Sequence, residues 1–206
     1  MFIKVCGITR ASDGIHAVQQ GATAVGFVFW PRSPRAVTPD IAAAIVDELP
    51  PNVAKVGVFV NEPVERIREI AEQVGLTAVQ LHGDEPPAYA EELEWPVIRA
   101  VSVDAIDAAC DAWGPETALL VDNIDPEKRG GTGAVVDWKP AAIAAMRRRV
   151  VLAGGLTPEN VTNAIRAVHP FGVDVSSGVE SAPGIKDTDK VTRFVANARR
   201  AFEERQ

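Results

Sequence analysis

Short apolar runs rich in Val, Ile and Phe alternate along the chain with longer stretches whose apolar positions recur at helical spacing. The short runs read as strands and the longer ones as amphipathic helices. Phe2 to Cys6 is the first strand, followed by a helix over Ser12 to Gln20 with Ser12 as its N-cap. Ala24 to Phe29 is the second strand; Thr38 and Pro39 then supply the N-cap and first position of a helix through Glu48. Val53 to Val60 and Val64 to Val74 make the next strand and helix, and Thr77 to Leu81 and Pro87 to Leu93 the pair after that. Val97 to Val101 precedes a weaker helix around Val103 to Ala112. Ala118 to Asp122 is the next strand, a helix to about Arg148 comes after Asp137-Trp138-Lys139-Pro140, and Val150 to Ala153 precedes one opening at Thr157-Pro158 and reaching Val168. Gly172 to Val175 is the last strand, and Asp187 to Glu204 the closing helix.

Strands that are apolar on both sides and strictly alternate with helices belong to a parallel α/β fold. The alternation admits a closed (β/α)8 TIM barrel and also a doubly wound open sheet. The polar residues carry more information. Cys6, His82, Asp122 and Asp174 fall at or just past the C-terminal ends of strands. Arg35 lies in the loop after the second strand, Gly154-Gly155 follow the seventh, and Ser176-Ser177-Gly178 follow the eighth. Strand C-termini carry the active site in parallel α/β folds, so one mouth would collect all of these.

Composition narrows the reading. The chain has 206 residues, short for a TIM barrel, which usually needs about 250, so loops must be tight. No linker or low-complexity tract divides it, and 1–206 reads as one domain. A formal charge of −7 argues against a nucleic-acid or membrane-surface partner. Any anionic ligand then needs local help from backbone amides and well-placed arginines. Cys6 and Cys110 have no paired spacing and no histidine cluster nearby, which points away from disulfides and metal sites and towards a cytoplasmic protein.

Several blocks together resemble the phosphoribosylanthranilate isomerase family. They are Lys4-Val5-Cys6-Gly7-Ile8-Thr9, Gly26-Phe27-Val28-Phe29 with Ser33-Pro34-Arg35, Gly57 to Asn61, and Val79-Gln80-Leu81-His82-Gly83. Leu119 to Asp122, Gly130-Gly131-Thr132-Gly133 with Asp137-Trp138, Ala153 to Val161, and Val173 to Glu180 continue the match in order. The resemblance implies a compact TIM barrel that isomerises N-(5-phosphoribosyl)anthranilate to 1-(2-carboxyphenylamino)-1-deoxyribulose 5-phosphate. That Amadori rearrangement is a step of tryptophan biosynthesis and implies no metal or organic cofactor. The implied partner is a small phosphorylated substrate, and the implied assembly a monomer or homodimer.

The resemblance also implies roles. Cys6 would be the general base that removes the C2 proton, and Asp122 the general acid that protonates the ribose ring oxygen. A free thiol titrates near 8.5 and a free Asp near 3.9, so each would need its surroundings to adapt it to its task. Arg35 would hold the anthranilate carboxylate, since a guanidinium presents a planar fork of donors. Gly154, Gly155, Ser177 and Gly178 lie where TIM barrels commonly bind phosphate, and glycine lets backbone N–H groups approach an anion closely. Asp174 would bind sugar hydroxyls or form a structural salt bridge. His82 is read as a lining residue, the Gly130 to Gly133 loop as a flap, and Asp125 as a second candidate for the acid. His16, His169 and Cys110 read as structural.

Two other readings compete. Metal-dependent phosphosugar epimerases require histidine and carboxylate ligands that three scattered histidines do not supply. Indole-glycerol-phosphate synthases use lysines on barrel strands, whereas Lys4 and Lys55 lie within their strands rather than at the mouth. A barrel that binds a phosphorylated ligand without turnover is the remaining reading, against which Cys6, Asp122 and Arg35 speak.

Overall fold

The computed structural model describes residues 1–122 and 137–205. Eight parallel strands close into a barrel in chain order, the first pairing with both the second and the eighth. They are β1 (Phe2–Cys6), β2 (Ala24–Val28), β3 (Ala54–Phe59), β4 (Ala78–Leu81), β5 (Val97–Ser102), β6 (Ala118–Asp122), β7 (Val150–Leu152) and β8 (Gly172–Val175). The helices between and after them are α1 (Ala11–Gln19), α2 (Pro39–Asp47), α3 (Val64–Val74), α4 (Ala88–Glu92), α5 (Ile106–Ala112), α6 (Trp138–Ala145), α7 (Val161–Val168) and α8 (Thr188–Glu203). The ring is closed, which removes the open-sheet alternative.

Strand parity sorts the side chains into two cores. Ile3, Val5, Val25, Phe27, Val79, Leu81, Leu119, Val121, Val173 and Val175 face outward and pack with helix residues such as Ile67, Ile165 and Phe194. Ala24, Val56, Ala78, Ile98, Leu120 and Val151 face inward and form a separate apolar cluster inside the barrel. The same inward parity carries Lys4 and Cys6 on β1, Gln80 on β4, Asp122 on β6 and Asp174 on β8. The barrel interior is thus apolar towards the strand starts and polar towards their ends. Apart from Lys55 and Arg99, the strands are apolar on their helix-facing sides; Lys4, Gln80 and Asp174 break the pattern on the inner one.

Most element boundaries follow the sequence pattern. Thr38 caps α2, its hydroxyl accepting from the Ile41 N–H, with Pro39 in the first turn. Asp187 caps α8 by accepting from the Lys190 N–H at 3.0 Å. Three details differ. The cap position of α1 is Arg10 rather than Ser12, because Asp13 in the first turn takes the Arg10 guanidinium and the Lys186 N–H. The helix expected from Thr157 begins at Val161; Thr157 to Asn160 instead form a turn in which Asn160 Oδ1 accepts from the Thr157 N–H at 2.8 Å. A small antiparallel pair, β9 (Glu180–Ala182) and β10 (Ile185–Lys186), lies between β8 and α8. The Gly130 to Gly133 flap and Asp125 fall outside the described residues.

His16 joins α1 to α8, with Nε2 3.1 Å from the Thr188 carbonyl oxygen and 3.0 Å from the Thr192 hydroxyl. His169 ends α7 in a left-handed conformation at φ 54°. Cys110 is buried on α5. All three hold structure.

Candidate active site

The first side of the mouth is built on β1 and β8. Lys4 is wholly buried, and its Nζ lies 2.9 Å from Gln80 Oε1 and 3.1 Å from Asp174 Oδ1. Its charge bears on the Cys6 sulfur, two residues along the same inward face. Gly26 makes this crowding possible. A Cβ there would stand 2.7 Å from Cys6 Sγ and 3.0 Å from Lys4 Cε, so the neighbouring strand must be bare at that point. Burial pushes the Cys6 thiol above its ordinary value, and Lys4 is the strongest opposing influence. Burial also pulls the Lys4 ammonium down, but Asp174 and Cys6 outweigh it and leave it raised.

A second cluster borders Cys6. Arg35 donates from Nε to Glu180 Oε1 at 2.8 Å and from Nη2 to Oε2 at 2.7 Å, a fork-to-fork pair. Lys186 donates to the same Oε1 at 2.9 Å and to the Ser176 carbonyl at 3.3 Å. Burial works against the Glu180 charge, yet Arg35 and Lys186 prevail and hold its carboxyl below the ordinary range. Gly7, at φ 75°, lets the arginine stem through: a Cβ there would stand 2.6 Å from Arg35 Cδ. One edge of the Arg35 guanidinium, Nε and Nη2, is therefore engaged by the protein itself.

The third part is the cleft above β6, β7 and β8. It is bounded by Asp122, Gly154, Gly155, Asp174, Ser177 and Gly178, among others. Gly154 and Gly155 both adopt positive φ, at 73° and 66°, where a side chain would be strained. Asn160 pins this turn by donating from Nδ2 to the Gly155 carbonyl at 2.9 Å. A Cβ on Gly178 would collide with the Leu156 carbonyl oxygen, so the turns after β7 and β8 can touch only because that residue is glycine. Their backbones run side by side along one wall of the cleft.

His82 approaches from β4. Its Nδ1 lies 2.9 Å from Gln80 Nε2, and its Nε2 lies 3.8 Å from Asp122 Oδ2. A buried brace holds this corner: Glu85 accepts from the Asn61 N–H at 2.6 Å, the Gly83 N–H at 2.8 Å and Arg99 Nη1 at 2.6 Å. Cys6, Arg35, His82, Asp122, Asp174 and the two phosphate-type turns thus all open on one mouth. Among the described residues, no group of His, Cys, Asp and Glu could hold a metal ion.

The sequence reading missed three members of this site. Lys4 lies within its strand, as expected, but period two points it up beneath Cys6; that parity and Gly26 opposite were the available signals. Glu180 and Lys186 come together only because β9 and β10 fold back, and no local pattern marks that turn.

A closed parallel barrel that gathers its buried charges at the strand C-termini defines a (β/α)8-barrel enzyme. Residues 3–197 match the sequence profile of N-(5'-phosphoribosyl)anthranilate (PRA) isomerase. The protein of that name from Pelobacter propionicus is 47% identical over 98% of this chain and 97% of its own length. The crystal structure of phosphoribosyl anthranilate isomerase from Thermotoga maritima superposes with a TM-score of 0.89 at 45% identity, covering 97% of this chain and 98% of that one. Another, in complex with reduced 1-(o-carboxyphenylamino)-1-deoxyribulose 5-phosphate, gives 0.86 at 43% identity, with 97% and 98% covered. The chain belongs to the N-(5'-phosphoribosyl)anthranilate isomerase family.

Proposed function

We propose that the barrel mouth converts N-(5-phosphoribosyl)anthranilate to 1-(2-carboxyphenylamino)-1-deoxyribulose 5-phosphate, in the cytoplasm, as part of tryptophan biosynthesis. The chain works as one domain over 1–206, as a monomer or homodimer. The observation that carries this reading is the cleft that brings Asp122 and Asp174 together with the Gly154-Gly155 and Ser177-Gly178 turns. A phosphosugar needs amides for its phosphate at one end and proton handlers at the other, and the cleft offers both.

In this reading Asp122, rigidly placed at the end of β6, gives its proton to the ribose ring oxygen, and the ring opens to a Schiff base. Cys6 takes the proton from C2, leaving an enolamine that tautomerises to the ketone. Positioned acids and bases of this kind each contribute about 10²–10⁴-fold in rate. The glycine turns present backbone N–H groups to the phosphate, which lets a chain of net charge −7 hold a dianion. Asp174 lies between the Lys4 ammonium and the cleft, in reach of sugar hydroxyls; His82 lines the wall beside Asp122. Arg35 meets the anthranilate carboxylate with the part of its guanidinium that Glu180 leaves open, so Glu180 sets the angle of approach.

The test is a fluorescence assay on purified protein, following loss of freshly generated phosphoribosylanthranilate, with Cys6→Ala as control. Rapid decay that vanishes in the variant is expected. Decay no faster than the spontaneous background, from folded protein, would replace this reading with ligand binding alone.

A further inference from the structure

Cys6 presents a problem for any reaction that uses it as a base. It is buried, and burial favours the neutral thiol over the thiolate that accepts a proton. Something in the fold must offset this. The groups facing the sulfur are Lys4 from its own strand, Asp174 from β8, Lys186 from β10 and Arg35 from the loop after β2. Of these, Arg35 and Lys186 already share one carboxylate, Glu180, at 2.7–2.9 Å. Lys4 is differently placed. It is wholly buried and cannot reach water, so its charge acts in a medium of low dielectric. Its two contacts, Gln80 Oε1 at 2.9 Å and Asp174 Oδ1 at 3.1 Å, fix the ammonium inside the barrel, and its Cε and the Cys6 sulfur crowd the same bare position at Gly26.

Resting on the reading of Cys6 as the base, we propose that Lys4 is the positioning residue of this centre: aimed by Gln80 and Asp174, its ammonium opposes the effect of burial and favours the anionic form of the Cys6 sulfur. Lys4 need not touch substrate to do this. The geometry around it is specific. Gly26 is bare so that Lys4 and Cys6 can lie against β2, and Asp174 is near enough to balance the ammonium without taking all of its field. The thiolate and Asp174 compete for one cation. Removing the cation and removing the competitor must therefore move Cys6 in opposite directions. A lysine that merely filled space or held the barrel together would leave the midpoint unmoved when Met replaces it.

The experiment is a pH titration of thiolate ultraviolet absorbance on the full chain in a Cys110→Ser background, with the Cys6→Ser trace subtracted. Lys4→Met is expected to move the Cys6 midpoint upward, reducing the thiolate fraction at neutral pH by about tenfold or more, one pH unit being a factor of ten. Asp174→Asn is expected to move it downward. In parallel, the rising limb of kcat/KM against pH follows the midpoint in Lys4→Met, with KM little changed. An unmoved midpoint in folded Lys4→Met overturns the proposal. Should Lys4→Met fail to fold, Lys4→Arg, which keeps the charge, and Lys4→Gln, which removes it, decide instead, and equal midpoints in the two overturn it. The underlying reading fails separately: if Cys6→Ser turns over at the parental rate, Cys6 is not the base, whatever the titrations show.

Discussion

The two ends of the barrel interior obey opposite rules. Towards the strand starts, Ala24, Val56, Ala78, Ile98, Leu120 and Val151 fill the space with apolar atoms that ask only for volume and burial. Towards the strand ends, Lys4, Gln80, Asp174 and Cys6 fill an equally buried space with groups that need charge and hydrogen-bond partners. The first arrangement is stabilising by itself. The second costs desolvation and returns it only when every partner is in place. One strand, β1, runs through both, so five residues of chain pass from packing to chemistry.

The division predicts which substitutions damage which property. The largest effects belong at the mouth. Cys6→Ser and Asp122→Asn should each lower kcat by about 10²–10⁴-fold while the thermal midpoint stays close to the parent. Substantial residual turnover in both would dissolve the acid–base assignment. Leu120→Ala should do the reverse. It leaves a cavity at a fully buried position and should cost about 2–5 kcal/mol in urea unfolding, with kcat intact in the folded fraction. Equal losses of activity and stability would mean that the two ends are not separable.

Arg35→Ala sharpens the picture at the rim. KM for the carboxylate-bearing substrate should rise, and stability should fall modestly because Glu180 keeps only Lys186 as a cationic partner. An unchanged KM removes Arg35 from carboxylate binding. The smallest effect concerns acid. Because the Glu180 carboxyl is held below its ordinary value, its stabilising contribution is complete above the unfolded-state value, about 4.3, and disappears as pH falls through the folded one. Glu180→Gln should flatten the stability profile in that acidic window, and denaturant titrations across it that superpose for parent and variant would refute this.

What the sequence revealed divides along the same line. The packing half was legible: Val64–Val74, Ala118–Asp122 and Gly172–Val175 have the bounds their apolar spacing predicts, because burial is written in periodicity. Residues that sit at strand ends were also legible, since topology alone places Cys6, Asp122 and Asp174 at one mouth. Partnerships were not. Arg10 precedes α1 because Asp13 is engaged by Lys186, which lies 173 positions away along the chain. The Arg35 fork meets Glu180 across 145 positions. Such pairs exist only after the ring has closed, and no local pattern encodes them.

The seam between β1 and β8 gives that closure a consequence during synthesis. Residues 2–5 leave the ribosome before any other strand of the barrel, and their partners, residues 172–175, after all the others. Until the eighth strand arrives, Lys4 has no Asp174, and the cleft lacks Ser177 and Gly178. A nascent chain seven strands long therefore carries an unneutralised lysine on its inner face, which favours hydration over premature collapse at that end. The ion pair that organises the mouth thus doubles as a signal of completeness: the pocket comes into being in the same event that joins the first strand to the eighth.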